Sequence, residues 1–148
     1  MARIVVGVDG SEHAGRALGR AVKEARLRGA RLDVVHAIPV PLKFADPVLA
    51  PPPPLDELRE AGEKLIEQAL AAVDHEGLDV RRITSVGHTA QLLCDAAEGA
   101  DLLVVGSRGF GGFRGLLVGS VTHQVVAHAP CPVLVVVPGG PGGRDEGS

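Results

Sequence analysis

Aromatic residues are nearly missing from this chain: three Phe, no Trp and no Tyr in 148 residues. That excludes a stacking platform for single-stranded nucleic acid, which needs exposed rings. No lysine- or arginine-rich run occurs, and 15 basic residues face 18 acidic ones, for a net charge of −3. A binder of the phosphate backbone is therefore not expected, and nucleic acid is set aside as a partner. No stretch approaches the roughly 18 uninterrupted apolar residues of a membrane helix, so no membrane partner is expected. The residues before the first strand pattern leave no room for the apolar segment of a secretory signal. The two cysteines, Cys94 and Cys131, lack any CxxC spacing. They read as reduced thiols of a cytoplasmic protein.

What is present is a regular alternation. Arg3 to Val8 is a short β-branched run fit for a buried strand. Asp9-Gly10-Ser11 breaks it, and Ser11 is a good N-cap. Ala14, Ala17, Leu18, Ala21, Val22 and Ala25 follow at helical spacing, with Gly29 as the stop. Arg31 to Ile38 is a second strand. The stretch 39–54, PVPLKFADPVLAPPPP, holds seven of the eleven prolines and reads as a long loop of polyproline character. A helix is expected from Leu55 to Glu76, with Leu58, Ala61, Leu65, Ala69, Ala72 and Val73 inward and Gly77 ending it. Then come a strand from Asp79 to Val86, a short helix capped by Thr89, and a strand from Leu102 to Val105. A helix from Val121 to Ala127 must stop before Pro130, and Val133 to Val137 is the last strand. The tail 139–148, rich in Gly, reads as disordered. The length fits one domain, 1–138.

Strands alternating with helices imply a parallel sheet covered on both faces. Ligands of such sheets bind at the carboxyl ends of the strands, where the strand order reverses. That places Asp9-Gly10-Ser11, after the first strand, beside the segment after the fourth. The latter is GSRGFGGFRGLLVGS, residues 106–120, with six glycines, two arginines and no acid. It has no lysine, so it is not a P-loop, and Arg114 stands where a dinucleotide fingerprint needs its third glycine. Its spacing is Gly106-x2-Gly109-x9-Gly119-Ser120. Gly106 and Gly109 allow close backbone approach to a ligand. Gly119 and Ser120 open a helix whose free N–H groups favour an anion. The hydroxyls of Ser107 and Ser120 add hydrogen bonds, and Arg108 and Arg114 add positive charge, Arg108 lying nearer the strand end. A carboxylate at Asp9 repels phosphate, so a ribose hydroxyl or Mg²⁺ is its sensible partner. As a bare sequence feature Asp9 also reads as a turn residue. His36 reads as a packed or hydrogen-bonded residue, and Cys131 as a packing residue.

This glycine spacing resembles the nucleotide signature of the universal stress protein family. VVGVDGSE from Val5, VVHAI from Val34, SVGHTAQLL from Ser85 and HAPCPVLVVV from His128 agree with it, so the resemblance covers about residues 2–138. It is to the ATP-binding branch of that family. The resemblance implies a Rossmann-like fold of the adenine nucleotide alpha hydrolase type, with a five-stranded parallel sheet of order 3-2-1-4-5. It also implies ATP as ligand, Mg²⁺ through the phosphates and Asp9, and a homodimer through the last strand. An apolar edge strand such as Val133–Val137 favours the same pairing on physical grounds. Carried over by position, Asp9 meets the ribose or a cation, the backbone near Ala37 reads the adenine edge, and Gly106 and Gly109 lie along ribose and phosphates. Gly119, Ser120 and Val121 hold the phosphates. The expected nucleotide-binding set is Val8, Asp9, Ser11, Ala37, Val105, Gly106, Ser107, Arg108, Gly109, Gly119, Ser120 and Val121. No general acid and base pair stands beside it, so a regulator or sensor in stress response is expected rather than a dedicated enzyme. Two rivals remain at this point: a slow Mg-dependent ATP hydrolase, and a nucleotide-free dimeric scaffold.

Overall fold

A computed structural model describes residues 2–39, 53–107 and 119–138. Most of the proline-rich stretch, the glycine-loop interior with Arg108, Gly109 and Arg114, and the tail 139–148 lie outside the described residues. Among the described residues nine elements alternate: β1 (Arg3–Gly7), α1 (Glu12–Arg28), β2 (Arg31–Ile38), α2 (Leu55–Ala71), β3 (Val80–Val86), α3 (Thr89–Ala96), β4 (Leu102–Gly106), α4 (Ser120–His128) and β5 (Val133–Val136). All strand pairs are parallel, as the alternation predicts, and the order is β3-β2-β1-β4-β5, the one the resemblance implies.

The central strands are apolar on both sides because both sides are covered. Ile4, Val6, Leu32, Val34 and Val104 join α1 and α2 in one core, whereas Val5, Val35, Leu103 and Val105 join Leu93 of α3 and Val125 of α4 in the other. Helix α1 forms as its sequence dictates. Ser11 caps it, its Oγ accepting from the Ala14 N–H at 3.1 Å, and Gly29 ends it with φ of 62°. All six predicted inward residues are buried. Gly19 is also in α1, yet no described atom lies within 4 Å of where its Cβ would stand. Gly19→Ala is therefore expected to stabilise the protein by about 1 kcal/mol, raising Tm by roughly 2–4 °C in a thermal melt.

Several element boundaries, by one residue in the strands, and one helix face differ from expectation. Helix α2 ends at Ala71 rather than Glu76, because the chain turns back and Arg26 takes up the carbonyls of Asp74 and Glu76 at 3.1 and 3.0 Å. Its buried residues are Gly62, Ile66 and Leu70; Ala61 and Ala72 are exposed, and Leu58, Leu65, Ala69 and Val73 flank the seam half-buried. The roll follows from Gly62, where a Cβ would stand 2.8 Å from Thr84 Cγ2 and 3.0 Å from His36 Cδ2. Only a residue without a side chain lets the helix sit that close to β2 and β3. Thr89 is the first residue of α3, whose N-cap is His88 with no side-chain bond. Helix α4 starts at Ser120 and runs to His128, and its N-cap is Gly119.

Away from the carboxyl edge, Asp33 of β2 is fully buried between three guanidiniums. Arg3 Nη1, Arg31 Nε and Arg81 Nη2 meet its two oxygens at 3.1, 3.0 and 3.0 Å. Arg3 also donates to the carbonyl of Ala96 at the end of α3, at 2.8 Å. One carboxylate thus ties β1, β2 and β3 together.

Candidate functional site at the carboxyl edge of the sheet

Strand β1 leads into the first half of the site. The Val8 N–H donates to the Val35 carbonyl at 2.9 Å, extending the ladder one residue past the strand. The Val8 carbonyl lies 3.0 Å from His36 Nδ1, which makes Nδ1 the protonated nitrogen of that ring. His36 is thus the hydrogen-bonded residue expected. The chain then reverses. Asp9 Oδ1 accepts from the Ser11 N–H at 2.9 Å, and Gly10 takes a φ of 87°. This is an Asx turn, so Asp9 does serve the turn with one oxygen.

Strand β4 leads into the second half. Gly106 packs so closely on the first turn of α1 that a Cβ there would stand 2.8 Å from the His13 carbonyl oxygen. Its own carbonyl accepts from Thr122 Oγ1 at 2.7 Å, which pins α4 to the strand end. The Ser107 N–H donates to Val136 of β5 at 3.0 Å, and the Ser107 carbonyl accepts from the Gly119 N–H at 2.7 Å. Residues 107 and 119 therefore stand back to back, and the first turn of α4 is brought to the end of β4. Gly119 has no side chain to cap that turn, so its leading N–H groups receive no cap from the N-cap residue. Beside it, Ser107 is fully buried and its Oγ has no hydrogen-bond partner among the described residues.

The fold therefore gathers Val8, Asp9, Ser11, Val105, Gly106, Ser107, Gly119, Ser120 and Val121 at adjoining ends of β1, β4 and α4, with Ala37 one strand away on β2. A groove of about 760 Å³ opens from Val8 and Ser11 and runs between α1 and α2, past Leu65, Ala69 and Val73. His88 lies elsewhere: it lines a separate groove between α3 and α4 with Gln91, Gln124 and His128. Cys131 is half-buried against the second core, as a packing residue is. Burial pushes both thiols above their ordinary range; Asp95 adds to this at Cys94, and Arg3 opposes it at Cys131. Among the described residues no three His, Cys, Asp or Glu side chains are placed to hold a metal ion. Sequence reading missed His13, whose role at Gly106 exists only through the packing of α1 on β4.

The model of the universal stress protein family matches residues 1–137. The chain belongs to the universal stress protein family. A universal stress protein of Thermus aquaticus is 41% identical over 136 residues, which are 90% of this chain and 96% of that one. Two universal stress proteins solved in complex with adenine nucleotides share the fold. One, in complex with cAMP, is 28% identical with a TM-score of 0.62, over 91% of this chain and 96% of the other. The second, from Archaeoglobus fulgidus in complex with dAMP, is 27% identical with a TM-score of 0.58, over 92% and 98%. The sheet order of this universal stress protein is the one its sequence resemblance implies.

Proposed function

We propose that this chain is an ATP-binding universal stress protein, a nucleotide-dependent regulator or sensor. In this reading residues 1–138 form a single cytoplasmic domain that dimerises through β5. The observation that carries it is the buried Ser107 Oγ, unpartnered among the described residues, beside the first turn of α4, whose N-cap Gly119 supplies no side-chain cap. Buried hydroxyls nearly always have a partner, and a helix start without a cap favours an anion. The residues present fit a nucleotide. When bound, ATP would supply the charge and the phosphate oxygens that these donors lack. The N–H groups of Ser120 and Val121 and the hydroxyls of Ser107 and Ser120 hold phosphate. Asp9, with one oxygen in its turn, offers the other to a ribose hydroxyl or Mg²⁺. Ala37, buried at the end of β2, offers backbone groups to the adenine edge. The relatives solved with cAMP and dAMP support an adenine nucleotide as the class. For the dimer, β5 is the last strand of the sheet and its four residues are only half-buried, an edge that a second copy would cover.

The deciding experiment denatures protein purified without added nucleotide and identifies what is released by chromatography and mass. ATP or ADP near one per chain is expected. In a Ser107→Ala/Ser120→Ala variant the Kd should rise by about 100-fold, the effect of losing two charge-assisted hydrogen bonds at the low end of their range. No released nucleotide, together with no heat of binding on adding Mg-ATP, would overturn the reading.

A further inference from the structure

Among the described residues, His13 Nδ1 and Ser107 Oγ are buried polar side-chain atoms with no hydrogen-bond partner. Two such orphans in one place call for a common cause, since buried polar groups are almost always paired. Both stand at Gly106. The His13 Cβ would be 3.1 Å from a Cβ built on Gly106, and Ser107 is the next residue. Leu102 and Val104 of β4 face the core under α1, and Leu103 and Val105 face the opposite core. By the same alternation Gly106 presents to α1 and Ser107 to the other side. The two orphans thus bracket the end of β4, with the uncapped start of α4 tied to it through the Ser107 carbonyl.

Free N–H groups at α4, a hydroxyl and an imidazole are donors set around the end of β4. Their spread across both sides of the strand end suits a chain of phosphates. We infer that His13 is a specificity-determining residue, donating from Nδ1 to the distal phosphates, so that nucleoside di- and triphosphates are preferred over monophosphates. This role rests on the nucleotide reading of the site. A neutral imidazole protonated at Nδ1 suffices, and the ring needs no catalytic function.

Calorimetric titration of wild type, His13→Ala and His13→Asn with ATP, ADP and AMP tests it, with Tm reporting the fold of each variant. His13→Ala is expected to weaken ATP and ADP about 10-fold while AMP stays within about 2-fold of wild type. His13→Asn, whose amide reaches about as far as Nδ1, is expected to restore most of the loss and also serves if the alanine variant does not fold. Equal weakening of ATP and AMP would make His13 a packing residue and overturn the inference. Unchanged ATP affinity in both variants would do the same, as would a wild type that binds ATP and AMP alike; in these cases the nucleotide site itself stands. A wild type that binds no adenine nucleotide would sink the site and the role of His13 together.

Discussion

Asp33→Ala is expected to melt roughly 6–12 °C below wild type, a loss of about 3 kcal/mol. The carboxylate is fully buried, and its oxygens are met by Arg3, Arg31 and Arg81 within 3.1 Å. Removing it leaves three guanidiniums converging on one point with no counter-charge. The loss stays at the low end of the range for breaking a buried pair because the arginines reach solvent, Arg81 being 54% exposed and Arg3 18%. Each can swing outward and rehydrate in part. The cost then falls on the register they defined, since these side chains come from three neighbouring strands. Thermal melts at low and high salt check the point. A Tm within about 2 °C of wild type would mean that the cluster contributes specificity alone.

Gly106→Val is expected to cost roughly 2–3 kcal/mol, about 5–10 °C in Tm, and to abolish nucleotide retention. The reason is local and steric. The first atom of any side chain at 106 would stand 2.8 Å from the His13 carbonyl oxygen and 3.0 Å from its carbon. These are backbone atoms inside the first turn of a helix, so no rotamer change relieves the contact. Helix α1 must lift off β4, carrying the Ser11 cap and the Asp9 turn with it. Melting and nucleotide release, measured on the same preparation, separate this from a loss confined to the site. A folded Gly106→Val protein with wild-type Tm would contradict the packing described here.

The order of elements and the whole buried face of α1 were legible because local signals agreed. Ser11, the 3-4 spacing of the alanines and Gly29 all pointed to one helix. Helix α2 was harder. Its apolar stripe is wide, running through 58, 61, 62, 65, 66, 69 and 70, and only contact with β2 and β3 selects its centre. Gly62 decided that centre, and a glycine carries no hydrophobic signal. The helix start at Ser120 was missed by one residue, as helix ends often are, since a glycine cap gives no side-chain mark. At the site, the turn at Asp9-Gly10-Ser11 and the strand end at Gly106-Ser107 were readable as breakers after apolar runs. Their adjacency followed from the strand order rather than from either segment. His13 and Asp33 were unreadable for a common reason: each gains its meaning from residues far along the chain, His13 from Gly106 and Asp33 from Arg3 and Arg81, 30 and 48 positions away, beside its near neighbour Arg31.

The pairing of β1 with β4 has a consequence in time. Ile4 lies beside Leu102, and Val6 beside Val104. A ribosome adding about 5–20 residues per second needs roughly 5–20 seconds to pass from one to the other. Through that interval β1 has β2 on one flank and nothing of its own chain for the other. The middle of the finished sheet is therefore, for those seconds, an open edge. During them, the nascent chain is most exposed to pairing with another copy of itself.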